Sequence, residues 1–124
     1  VLGDLAINHI IPVALRYQSI LLDNIVRIKS IFDVEKASAF SADDVANVEK
    51  LARHMKVIKD EVAAMVDARR VANKIDGERA KAIAYHDNVV PHMDVIRYHI
   101  DKLELMVDNE IWPLPKYREL LFIR

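Results

Sequence analysis

The fold is decided by one stretch near the middle of the chain, VEKLARHMKVIKDEVAAMVDARRVA (residues 48–72). Eight of its positions recur at alternating steps of three and four residues, and we call such a row of positions the seam of a helix. All but the arginine are apolar or small: Val48, Leu51, Met55, Ile58, Val62, Met65, Arg69 and Ala72. This spacing keeps one face of an α-helix turned toward a partner. The stretch therefore predicts a long amphipathic helix that packs against other helices.

The same period occurs on both sides of this stretch. On the N-terminal side the seam comprises Ile11, Ala14, Gln18, Leu21, Ile25, Ile28 and Phe32. Three further apolar residues beside it, Leu15, Leu22 and Val26, make the apolar face as wide as that of a helix packed on a core. On the C-terminal side it comprises Ala82, His86, Val89, Met93, Ile96, Ile100, Leu103 and Val107. The sequence therefore predicts an all-α fold, an antiparallel bundle of three long helices.

Local signals place the helices at about residues 5–33, 42–75 and 78–110. Ser41 is expected to cap the second helix, because its hydroxyl can accept from free N–H groups. Gly77 is expected to end that helix, since glycine adopts the left-handed conformation. Pro12 predicts that the first helix begins or kinks there, and Pro91 predicts that the third is kinked or split.

The chain ends in an unusual apolar stretch, WPLPKYRELLF (residues 112–122). Proline ends a helix before it, so we expect a bundle over residues 1–111 and a tail over 112–124 with a short terminal helix, all in one domain. The tail is a candidate interface through Trp112, Leu114, Tyr117, Leu120, Leu121 and Phe122. It either packs against another domain or subunit, or folds back over the end of the bundle.

Composition restricts the functions that the chain can have. Among 124 residues there are two glycines and no cysteine, which argues against a glycine-rich phosphate loop, a thiolate nucleophile and cysteine-bound metals. A net charge of -1 provides no field that would attract nucleic acid. No continuous apolar run approaches about 18 residues. We therefore expect neither a nucleic-acid partner nor a membrane.

Five histidines are the best candidates for a metal site: His9, His54, His86, His92 and His99. None forms the helical zinc pattern of two histidines around a glutamate, and none follows a glutamate at the spacing of di-iron bundles. His92 and His99 share a helix face without flanking carboxylates, and His86 falls on the predicted seam. We expect no catalytic, cofactor-binding or metal-binding residue in this chain.

Charged residues form two further groups. The carboxylates Asp101, Glu104, Asp108 and Glu110 alternate with basic residues as on a solvated helix face, and Arg97 and Asp101 are spaced to pair. The basic cluster is a candidate patch for an anion or a partner, and it comprises Arg69, Arg70, Lys74, Arg79 and Lys81. Cations near a helix C-terminus also complement the helix dipole without a ligand.

Longer strings in the chain resemble a known family. NHIIPVALRYQ (residues 8–18) and ANKIDGERAKAIAYHDNVVPHMDVIRYHIDKLELMVDNEIWPLPKYRELLF (residues 72–122) are similar to the C-terminal region of glutamine synthetase of type III. The resemblance implies a cytoplasmic, oligomeric parent enzyme that ligates ammonia to glutamate with ATP and magnesium. The catalytic strings of that family are not in this chain, so the segment itself is expected to be inactive.

Three functions follow from these observations. The chain is interpreted as an accessory helical domain, whose partners are the catalytic domain and neighbouring subunits of the parent homo-oligomer. Alternatively, it is a regulatory module that binds an effector or an adaptor protein at the basic cluster or at Pro91. Apart from the resemblance, a free-standing adaptor that pairs by coiled-coil contacts would show the same periods.

Overall fold

Three long helices form an antiparallel bundle in the computed structural model, which describes residues 2–107. Helix α1 is Leu2–Ile31, α2 is Val34–Asn73, and α3 spans residues 78–106. Both α1 and α3 pack along α2, and no strand occurs within the described part of the chain. The predicted all-α bundle is confirmed.

Helix α2 begins earlier than the sequence predicted. Its N-cap is Asp33, whose Oδ1 accepts a hydrogen bond from the backbone N–H of Lys36 at 2.8 Å. The predicted cap, Ser41, is buried within the helix, and its hydroxyl donates to the carbonyl of Ala37 at 2.6 Å. The prediction was wrong because serine can also satisfy its hydroxyl inside a helix.

The other helix ends lie close to the predicted ones. Helix α1 ends at Ile31, so only Phe32 and Asp33 connect it to α2. Helix α2 ends at Asn73 with Lys74 as its C-cap, so the prediction that Gly77 ends this helix was wrong. Gly77 has φ 91°, in the region that favours glycine, and it is instead the N-cap of α3. Helix α3 ends at Met106, where residue 110 was expected.

Both helix prolines follow a turn of π-helix. In α1 the π turn is Ala6–Ile10, and in α3 it is Tyr85–Val89. Each closes with a hydrogen bond to the carbonyl five residues back, from Ile11 to Ala6 and from Val90 to Tyr85. The wider turn accommodates the proline that follows, so neither helix is split. Pro12 and Pro91 each lie in the first turn of the α-helical segment that follows a π turn, Ile11–Ile31 and Val90–Met106, which agrees with the predicted helix start or perturbation at both prolines.

The core lies along the seam of α2. Leu51, Ile58, Ile96 and Leu103 are fully buried there, as predicted. On α1, however, the residues expected to widen the stripe are exposed: Leu15 by 45%, Leu22 by 44% and Val26 by 65%. His86 is also exposed, because the π turn displaces it from the seam that continues from Val89.

The helices are offset along the bundle axis. His54 contacts His99 and Glu61 contacts His92, so in this antiparallel pairing the end of α3 lies level with about residue 47 of α2. Residues 34–46 of α2 extend about 20 Å further at 1.5 Å per residue. Asn24 donates to Asp44 at 2.6 Å in that extension, which shows that α1 accompanies α2 beyond α3.

Helix α1 also has a membrane-like composition. Leu2–Ile31 contains an 18-residue window that is long and apolar enough to cross a bilayer, and 33% of that window is buried within the bundle. A buried helix in a bundle can have the same length and apolar composition. Its packing against α2 accounts for the buried apolar residues.

Candidate functional site

The predicted basic cluster lies at the end of the bundle where α2 turns into α3. Arg69, Arg70 and Lys74 border a shallow depression of about 410 Å³ together with Val66 and Asn73. Arg70 forms an ion pair with Asp67 on the same helix, between side chains that are both largely exposed. The cluster is therefore a surface feature, and its predicted role in binding an anion or a partner stays a prediction.

The predicted C-terminal interface lies outside the described residues. Trp112, Leu114, Tyr117, Leu120, Leu121 and Phe122 all follow Val107, and so do Asp108 and Glu110 of the predicted acidic face. Within the described part of α3, Arg97 pairs with Asp94 at 3.9 Å instead of the predicted Asp101. Both side chains are largely exposed, which agrees with a solvated helix face.

Polar contacts join α2 to α3 across the seam. His54 and His99 approach to 2.8 Å between their Nδ1 atoms, so one imidazole donates a hydrogen bond and the other accepts it. Seven residues further along α2, Glu61 Oε2 lies 2.5 Å from His92 Nδ1 of α3. Near the turn, the Tyr85 hydroxyl donates to Asn73 Oδ1 at 2.7 Å. These three contacts fix the register of the two helices.

The histidine contacts do not form a metal centre. Within residues 2–107 no group of three or more His, Asp or Glu side chains is placed to hold a metal ion. The His54 pair has a cation beside it, since Lys102 acts on the same imidazole. A second positive charge there would be repelled, so the pair is better suited to a hydrogen bond than to a metal.

The sequence spacing missed the His54 and His99 pair because its members lie on different helices. Along a single helix only His92 and His99 are spaced to share a face, since they lie seven residues apart. The available signal was the seam itself. His54 precedes the seam residue Met55 and His99 precedes Ile100, so antiparallel pairing of the two seams brings both imidazoles to the same edge.

Comparison with known proteins relates the chain to one enzyme family. It is 49% identical over 124 residues to a glutamine synthetase of Bacteroides fragilis (strain YCH46). It is 21% identical over 123 residues to a type-3 glutamine synthetase of Dictyostelium discoideum. No family model matches. The resemblance to type III glutamine synthetase is confirmed. The chain spans 17% of the length of each relative, so it matches a small segment of each of these enzymes.

The described residues do not fit the ATP and magnesium that a glutamine synthetase implies. Magnesium needs converging carboxylates, and residues 2–107 bring no three metal-ligating side chains together. Gly77 is an isolated glycine in a turn, and the α3 segment that follows it, Glu78–Ala84, is acidic in its first turn, where a phosphate would bind.

The His54 pair makes the helix contact sensitive to acid. Burial, then the charges of His99 and Lys102, hold the pKa of His54 below its ordinary value. A histidine with a lowered native pKa binds fewer protons in the folded state than in the unfolded state. Stability should therefore be full above pH 6.5 and should decline as the pH falls through that value toward the native pKa.

We expect His54→Gln to reduce this pH dependence. Urea unfolding between pH 7.5 and 5.5 measures it, because glutamine keeps a hydrogen-bonding side chain without the titration. His86→Gln is the matched control, since it is the same substitution at an exposed side chain of α3. Equal slopes for both variants would show that His54 does not contribute to the acid sensitivity.

Proposed function

We propose that this chain is the C-terminal helical accessory domain of a type III glutamine synthetase, a cytoplasmic enzyme that ligates ammonia to glutamate with ATP. In this proposal the segment packs against the catalytic domain and neighbouring subunits and stabilises their assembly. It takes no part in the chemistry. ATP and magnesium bind in the remaining part of the parent polypeptide.

The observation that carries this proposal is the extent of the match. All 124 residues align with the Bacteroides fragilis enzyme at 49% identity, yet they make up only 17% of it. The segment is thus one small part of a much longer enzyme. A helical bundle without a cluster of metal ligands in residues 2–107 fits a structural role in such an enzyme.

The outer face of α1 is a suitable surface for packing on the parent enzyme. We define this outer face by Leu15, Leu22 and Val26, which lie seven and four residues apart and therefore on one side of the helix. All three side chains are exposed. Burying such aliphatic side chains against another domain stabilises the contact by about 1.5–3 kcal/mol each when burial is complete.

Sedimentation velocity on the complete enzyme, with and without residues 1–124, tests the proposal directly. We expect the deletion to produce smaller particles and a proportionate loss of synthetase activity. A finer variant, Leu22→Asp with Val26→Asp, should weaken assembly because it places two charges on the outer face. Leu105→Asp is the control, since Leu105 is 69% exposed on another helix. Full-sized, fully active particles from the deletion would rule out a role in assembly.

The regulatory alternative is favoured by the depression of about 410 Å³ beside Arg69, Arg70 and Lys74. An anionic effector of about this size would lie beside Arg69 and Lys74 and would compete with Asp67 for Arg70. Titration of nitrogen metabolites into the complete enzyme, with activity as the signal, separates the two functions. A saturable response that disappears in an Arg70→Ala variant, with particle size unchanged, would support regulation over assembly.

A further inference from the structure

A small pocket lies between the three helices at the end of the bundle where α2 turns into α3. It has a volume of about 300 Å³ and is lined by Leu2, Met65, Arg69, Tyr85, Val89 and Met93. One of these residues belongs to α1, two belong to α2 and three belong to α3. The volume is at the lower end of the roughly 300–1,000 Å³ that is typical of pockets for small molecules. The pocket therefore has room for one small ligand.

Apolar side chains form most of the wall of this pocket. Met65 and Val89 are buried in the core, and Leu2 and Met93 are partly buried against the same core. Methionine side chains adapt their shape to what they contact, and their sulfur atoms make favourable contacts with aromatic rings. The wall therefore suits an apolar group, and an aromatic ring in particular.

The π turn of α3 forms one side of the pocket. Tyr85 and Val89 are the first and last residues of this turn, and Met93 follows four residues later. The Tyr85 hydroxyl donates to Asn73 Oδ1 at 2.7 Å, which holds the tyrosine ring beside α2. Because its hydrogen is used in that contact, the hydroxyl is not a free donor for a ligand. Single π turns within α-helices are frequent at functional sites.

Arg69 is the charged residue of the pocket. It occupies a seam position of α2, four residues after the buried Met65 and three before the buried Ala72. Its side chain is half-buried, yet it has no hydrogen bond or ion pair within residues 2–107. None of the described residues that line the pocket is a carboxylate. A partly buried cation without a partner is unfavourable, so the pocket lacks an anion.

The chemistry of Arg69 favours a carboxylate as that anion. A guanidinium is planar and presents its N–H donors as a fork that matches the two oxygens of a carboxylate. It carries one positive charge, which balances a monocarboxylate. A phosphate monoester carries about −1.5 to −2 charges at pH 7, which a single cation does not balance.

We propose that this pocket binds a small monocarboxylic acid. The apolar group of the acid lies against Met65, Val89 and Met93, and its carboxylate pairs with Arg69. The site does not depend on the proposed role in the parent enzyme, because every residue of it belongs to this chain. It is also distinct from the depression of about 410 Å³, because Arg70 borders that depression and not the pocket.

Isothermal titration calorimetry with phenylacetate tests the proposal on the complete protein that contains these residues. Phenylacetamide has the same shape without the charge, so it should bind at least about tenfold more weakly. Arg69→Gln should weaken phenylacetate binding by about tenfold or more and should leave phenylacetamide binding nearly unchanged. The Arg69 side chain is not fully buried, so the helical circular dichroism and the melting temperature of this variant should persist.

Arg70→Gln is the matched control, since it removes a neighbouring arginine that does not line the pocket. It should leave phenylacetate binding unchanged. Equal weakening by both substitutions would place the ligand in the larger depression and overturn the proposal. So would phenylacetate binding that Arg69→Gln does not alter, or no saturable binding to the wild type. Particle size in sedimentation velocity should be the same for both variants, so these results are independent of the test for assembly.

Discussion

Leu103→Asp should unfold the bundle. Leu103 is fully buried on α3 and belongs to the core cluster with Leu51 and Leu21. An ionised carboxylate placed there without a partner costs several kcal/mol, a large fraction of the 5–15 kcal/mol that stabilises an ordinary domain. We expect the helical circular dichroism and the cooperative thermal transition to be lost at neutral pH.

Leu105→Asp is the control for this substitution. Leu105 is two residues away on the same helix and 69% exposed, so the same chemical change should alter the free energy of unfolding by less than about 0.5 kcal/mol. Lowering the pH should partly restore the Leu103→Asp variant, since a protonated carboxyl is less costly to bury. Unchanged melting of Leu103→Asp would mean that α3 presents a different face to the core.

The seams could be predicted because burial in a long helix imposes a strong period. Met55, Ile58, Val62 and Met65 are buried as the steps of three and four required. A seam is readable from sequence because its signal is summed over many turns. The short-range signals were weaker, as Ser41 and Asp33 are both good caps and only the surrounding packing distinguishes them.

The π turns were not predictable from the same period. A π turn adds a residue to the turn, so it shifts the phase of the residues before it relative to those after it. This shift moved His86 out of the seam that Val89 and Ile96 follow. The prolines gave a signal that the backbone would be perturbed, but proline alone does not distinguish a kink, a break and a widened turn.

The candidate surfaces depend on how the helices are offset, which no single period specifies. Leu22 and Val26 satisfy a core-facing pattern, yet they are exposed. The face of α1 that packs in the bundle is narrower than the apolar face that the sequence provides. Phe40 is exposed because α3 ends short of it. The sequence identified apolar residues correctly, and the structure shows which of them remain for partners.

Ile58→Ala should show that stability is concentrated where the three helices overlap. Ile58 is fully buried on α2, between the levels of the His54 and Glu61 contacts with α3. Truncation removes apolar contacts and leaves a cavity, which typically costs 2–5 kcal/mol, whereas Ile58→Val should cost about 0.5–1.5 kcal/mol. Urea unfolding should therefore show midpoints that fall in the order wild type, valine, alanine, with the same denaturant slope.

The control is Val71→Ala, because Val71 is 59% exposed on the same helix and its truncation should change the free energy of unfolding by less than about 0.5 kcal/mol. If Ile58→Ala and Val71→Ala unfold at the same urea concentration, the Ile58 side chain does not contribute to the packed core. A graded loss at Ile58 would instead show that three-helix packing holds the domain together.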